Sequence, residues 1–127
     1  MEKSILIGGR AVRMRASALI PRLYRFKFQR DIVVDMRQLQ RSYAKAVATK
    51  ENATDEEIKD AQLSILDLTI FENVAYLMCK QADKNIPDSP EEWLDTIDGT
   101  FDIYEALPAI LELWNLSQAT TSTPAKK

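Results

Sequence analysis

The sequence predicts a mainly α-helical fold, a small domain of about five helices with a short N-terminal β-hairpin. Three observations predict it. Apolar residues recur at spacings of three and four over much of the chain, polar capping residues stand where those stretches begin, and a Gly-Gly pair separates two short alternating segments near the N-terminus.

Ser4–Ile7 and Ala11–Ala16 read as strands around Gly8-Gly9, a pair suited to the positive φ angles of a tight turn, so a hairpin is expected at 4–16. Two strands are marginal alone and must rest on helices. The pair is not a phosphate loop, because the Gly-x-x-x-x-Gly-Lys spacing and a directly following helix are missing. Ser17 can cap a first helix at 18–28, with Pro21 tolerated in its opening turn. Asp31 can cap a second at 31–48, whose stripe is Ile32, Met36, Leu39, Tyr43 and Val47.

Thr54 with Glu57 forms a capping box that predicts the longest helix, 55–83. Its stripe is Ile58, Ala61, Ile65, Leu68, Ala75, Met78 and Ala82, widened by Leu66, Ile70, Phe71, Val74 and Leu77. A helix this apolar is either central or covered by a partner. Ser89-Pro90-Glu91-Glu92 opens a short helix at 90–97, and Asp98-Gly99 ends it. Thr100 can cap a last helix at 101–116, which Pro108 should kink. Residues 117–127 carry no large apolar side chain and read as a flexible tail, leaving 1–116 as the helical domain.

At 127 residues, 46% apolar and 28% charged, the chain has an ordinary globular composition and room for one modest core. Its single cysteine, Cys79, has no intrachain partner, which suits a reducing compartment. The N-terminus lacks a signal-peptide pattern, and no apolar run approaches the ~20 residues that span a bilayer, so a cytoplasmic location is expected.

Nothing in the sequence points to catalysis. The absence of histidine removes the commonest general base, the usual zinc sites and every Ser-His or Cys-His pair. Cys79 reads as a structural thiol. Asp95, Asp98 and Asp102 surround Gly99 in a way that suggests a calcium loop, but Leu94 and Thr96 occupy positions that need carboxylates. No cofactor, metal or catalytic residue is expected.

Charge is strongly polar along the chain. Residues 1–50 carry 12 Lys/Arg and 3 Asp/Glu, a net of +9, whereas residues 51–127 carry 5 and 16, a net of −11. Such halves can neutralise within one fold, join copies head to tail, or present a basic face to nucleic acid. The basic tract is interleaved with Tyr24, Phe26, Phe28 and Tyr43, but the chain is acidic overall and shows no nucleic-acid recognition motif. Phe71, Val74, Trp93, Phe101, Tyr104, Leu107, Leu111 and Trp114 have the content of protein-contact anchors. Aromatics at helical spacing are more often plain core, although a small domain has limited room for two Trp residues.

Ile5-Leu-Ile-Gly-Gly-Arg10, Arg22-Leu-Tyr-Arg-Phe-Lys-Phe-Gln-Arg-Asp31 and Phe71-Glu-Asn-Val-Ala-Tyr-Leu-Met-Cys-Lys-Gln-Ala-Asp83 resemble the tail assembly chaperones of long-tailed phages and prophages of Gram-positive bacteria. So do Glu92-Trp-Leu-Asp-Thr-Ile-Asp98 and Asp102-Ile-Tyr-Glu-Ala-Leu-Pro-Ala-Ile-Leu-Glu-Leu-Trp-Asn115. The resemblance covers most of 5–116. It implies a helical protein that keeps the tape measure protein soluble while tail tube subunits polymerise around it, works in the host cytoplasm and is absent from the finished virion. It also implies a longer product, made by ribosomal frameshifting near the end of the gene, that contacts the tail tube protein.

On this reading the eight residues Phe71 to Trp114 named above would face the client, and Arg22, Arg25 and Arg30 would orient it. Self-association into homo-oligomers is expected as well, and no membrane contact. The alternatives are a nucleic-acid-binding regulator that uses the basic half, and a structural head-to-tail connector.

Overall fold

The computed structural model describes residues 2–48, 54 and 63–121, with residues 117–121 described as backbone only. Among these residues the fold is five helices and one antiparallel hairpin, as the sequence predicts. Strands β1 (Glu2–Ile7) and β2 (Arg10–Arg15) pair in the register Lys3–Met14, Ile5–Val12 and Ile7–Arg10. The turn between them has φ +59° at Gly8 and +80° at Gly9, the twin positive angles that match strand twist in a two-residue hairpin. Alternation puts Ile5, Ile7 and Met14 in the core and leaves Ser4, Leu6, Arg13 and Arg15 outside.

Helix α1 is Ile20–Phe28. Its start corrects the expected cap. Ser17 Oγ accepts the Leu19 N–H at 3.3 Å and its carbonyl accepts the Ile20 N–H at 3.1 Å, so Ser17 shapes the turn before the helix. The helix ends through Gln29 in the left-handed region, φ 59°, where its side chain donates to the Phe26 carbonyl at 2.8 Å. Helix α2 is Ile32–Ala48, and Asp31 Oδ1 accepts the Val33 N–H at 2.9 Å as expected of a cap. Its stripe buries Ile32, Met36 and Leu39, but Val47 is exposed, so coverage ends before the last turn.

Helix α3 is Ile65–Ala82. The expected single helix over 55–83 does not form, because Leu63 and Ser64 are non-helical and Ser64 is extended at ψ 168°. Ser64 accepts the Asp67 N–H and Asp67 accepts the Ser64 N–H, both at 3.0 Å, a capping box ten residues beyond the expected one. Glu57, Ile58 and Ala61 lie outside the described residues. The buried stripe runs through Asp67, Ile70, Phe71, Val74 and Met78, so Ile65 and Leu68, expected inside, lie off it and are exposed. From Val74 to Cys79 every residue is buried, which makes α3 the central helix.

The chain leaves α3 through a loop that side chains hold. Lys80 Nζ donates to the carbonyls of Lys84 and Ile86 and to the Asp88 carboxylate. Tyr76 donates to the Pro87 carbonyl at 2.7 Å. Helix α4 is Pro90–Asp95, with Ser89 Oγ accepting the Glu92 N–H at 3.1 Å as expected; it stops two residues before the expected end.

Helix α5 is Ile103–Thr121. Asp102, not Thr100, supplies its cap, by accepting the Tyr104 N–H at 2.9 Å. Pro108 removes only the bond to the Tyr104 carbonyl, on an exposed side, and the helix continues through it and past 116, where the tail was expected to begin. Residues 122–127 of that tail lie outside the described residues.

All elements share one core, with β2, α1, α2, α4 and α5 against α3, and β1 against α5. The hairpin tip is docked as well. Gly8 N–H donates to the Thr100 carbonyl at 3.2 Å, and a Cβ at Gly8 would stand 3.1 Å from the Asp98 carbonyl oxygen, whereas one at Gly9 would meet nothing within 4 Å. Gly9→Ala should therefore cost about 1 kcal/mol from its positive φ alone, and Gly8→Ala clearly more, as read from urea denaturation of both variants.

Candidate interaction surface

The residues expected to face a client are mostly interior. Phe71, Val74, Trp93, Leu107 and Trp114 are buried, Phe101 and Leu111 are half-buried, and Tyr104 alone of the eight is exposed. Phe101 stacks on Phe71 at 4.6 Å between ring centroids and meets Trp93 edge-on at 5.5 Å, while Trp93 lies 5.9 Å from Tyr76. These contacts tie α3, α4 and the loop before α5 together. The correction has a simple cause: α4 is only six residues long, and its Ser89 cap and Pro90 turn Trp93 onto α3, so the domain does hold both Trp rings.

The three arginines expected to orient a client divide. Arg22 and Arg25 are exposed. Arg30 is instead engaged with buried Asp35 through both carboxylate oxygens, Nε to Oδ2 at 2.7 Å and Nη2 to Oδ1 at 2.9 Å. Tyr24, fully buried, donates its hydroxyl to the same Oδ2 at 2.7 Å. Burial alone would raise the Asp35 pKa, but the hydrogen bonds from Arg30 and Tyr24 and the guanidinium charge outweigh it and hold the carboxyl below its usual value. Tyr24 is pushed well above the usual phenol range, by burial first and then by Asp35. This trio fastens α1 to α2 and is structural.

Exposed apolar side chains occur elsewhere. Phe26 is 81% exposed and Ile65 85%, and Leu19, Val33, Val34, Leu66 and Leu68 are also in water. Leu19, Arg22 and Phe26 share the outer face of α1, and Val33, Val34, Arg37 and Arg41 that of α2. Ile65, Leu66 and Leu68 form the first turn of α3. Sequence reasoning missed this surface, although Phe26 falls six residues after Ile20 and two after Tyr24, off the stripe those two define.

Reactive chemistry has little to work with among the described residues. Cys79 is buried, and burial pushes its thiol up to about 12. No cluster of three or more metal-ligating side chains occurs among them. A shallow depression of about 300 Å³ separates the hairpin from α4, over Trp93 and Ile97, with Arg10, Arg13, Asp83 and Asp98 also lining it. No helix among the described residues is long and apolar enough to cross a membrane. Comparisons of the chain with family models, curated proteins and solved structures find no match.

Two outcomes follow from this chemistry. Because the folded pKa of Asp35 lies below its unfolded value of about 3.9, the stability it contributes is complete above that value and is lost as pH falls through the folded one. Tyr24→Phe should cost about 1–3 kcal/mol and, by raising the folded pKa of Asp35 towards its unfolded value, make that acid loss smaller and complete at higher pH, as measured by denaturation across acidic pH. Cys79 should resist alkylation at neutral pH in the folded chain and react at the rate of a free thiol once denaturant unfolds it.

Proposed function

We propose that this chain is a non-enzymatic assembly chaperone that binds apolar helical segments of a phage tape measure protein and keeps that client soluble while tail tube subunits polymerise around it. The observation that carries this reading is the group of large apolar side chains left in water on α1, α2 and the first turn of α3, beside a core that is otherwise closed. The resemblance of most of residues 5–116 to tail assembly chaperones supports it. The host cytoplasm is the proposed site of action.

Energetics fit a reversible hold. Covering a fully exposed Ile or Phe stabilises a complex by about 1.5–3 kcal/mol, so the surface can supply several kcal/mol before the entropy of association is subtracted. That suits a client that growing tube subunits must later displace. The client-facing residues on this reading are Phe26, Ile65 and Leu68, with Arg22 and Arg25 flanking, and the interior aromatics act by keeping the scaffold rigid.

Co-expression with the tape measure protein should raise the client's soluble yield and give a complex on size exclusion. Ile65→Asp and Phe26→Asp should each weaken that complex while leaving the chain's own melting temperature within about 2 °C, since neither side chain is packed. A client equally insoluble with and without this chain, and no complex, would remove the proposal.

A further inference from the structure

Among the described residues, the opposite charges of the two halves cancel by little direct contact. Of the four ion pairs among the described residues, three join groups within one half, and only Lys3–Glu112, at 3.4 Å and exposed, crosses between them. Lys27, at the end of α1, does reach the acidic side, where it donates to the Asp88 carbonyl at 2.8 Å. Arg22, Arg25, Arg37 and Arg41 are exposed and pair with no carboxylate among the described residues. The two acids beside them are already engaged: Asp35 is buried under Arg30, and Asp31 caps α2.

The second half leaves the complementary surplus. Glu91, Asp95, Asp98 and Glu105 stand exposed on α4, the loop after it and the start of α5, with no cation within 4.0 Å among the described residues. The negative potential there is felt locally, because Tyr76 is raised above its ordinary pKa by burial and then by Asp88, Glu92 and Glu91. Tyr104, at the start of α5, sets its ring 5.9 Å from that of Tyr43 on α2.

We infer that copies of this chain associate head to tail, the basic and apolar outer face of α1 and α2 in one copy docking on the acidic α4–α5 edge of the next. The occupant is a second copy because this chain itself carries the matching charge, −11 against +9 in the two halves. Nucleic acid fits less well, since a phosphate backbone would pair the arginines but leave Leu19, Phe26, Val33 and Val34 uncovered. A contact between two different faces leaves one of each free at the ends, so association does not stop at two copies. The contact does not require the tape measure reading, but it uses the same α1 face, so a client and a second copy would compete for it.

Sedimentation velocity of the full chain over a concentration series tests it. At about 0.05 M salt the mean mass should rise with concentration, and about 0.5 M salt should reduce it towards monomer. R37E/R41E and E91K/D95K should each weaken association about tenfold or more when alone, and an equimolar mixture of the two should restore it, since alternating copies again join opposite charges at every contact. R37Q/R41Q, with circular dichroism as the fold check, supplies the same test if a reversal fails to fold, and it should weaken association less than R37E/R41E does. A chain that stays monomeric at low salt overturns the inference. So does a mixture of the two reversal variants that fails to pair, or short duplex DNA binding to the arginine face of a chain that remains monomeric.

Discussion

A helical segment with no side facing water organises this protein. Val74 to Cys79 are six consecutive buried residues, more than one full turn of α3, and such a turn is stable only when neighbours surround it. The hairpin, α1, α2, α4 and α5 supply that cover, and each meets the core through one apolar stripe or strand face. Polar groups caught in the packing are matched. Asp35 and Asp67 are the buried charged residues among those described, one held by Arg30 and Tyr24 and the other closing the box at Ser64; no buried side-chain nitrogen or oxygen among the described residues lacks a partner.

Closing the core in this way decides what remains for recognition. The aromatic contacts that fasten α4 and the α5 approach to α3 cannot also serve a partner without opening the domain, so binding capacity moves to the periphery. There the chain separates its resources. One region joins arginines to exposed aliphatic and phenyl groups on α1 and α2, another exposes apolar groups at the first turn of α3, and a third gathers carboxylates around α4. The client and self-association contacts proposed above would draw on these surfaces.

Much of the fold was legible because its signals are local. Gly8-Gly9 can serve one kind of turn, Asp31 and Ser89 stand one residue before their helices, and Pro90 stands at the first helical position, where proline is favoured. Where the same chemistry occurs twice, locality fails: Thr54 with Glu57 and Ser64 with Asp67 offer equivalent boxes, and it is the second that opens α3, while Glu57 lies outside the described residues. Thr100 and Asp102 pose the same choice at α5. The interaction surface was the least legible part. Periodicity tells which residues share a face, not what covers that face, so Trp93 and Trp114 read as anchors while Ile65 read as core.

Whether the aromatic set is closed core or open surface can be measured directly on the isolated chain by acrylamide quenching of tryptophan fluorescence. Trp93 and Trp114 are both buried, so both should remain shielded until denaturant unfolds the helices cooperatively. Quenching as efficient as in the unfolded chain, at full helical content, would contradict this account and return those rings to the surface.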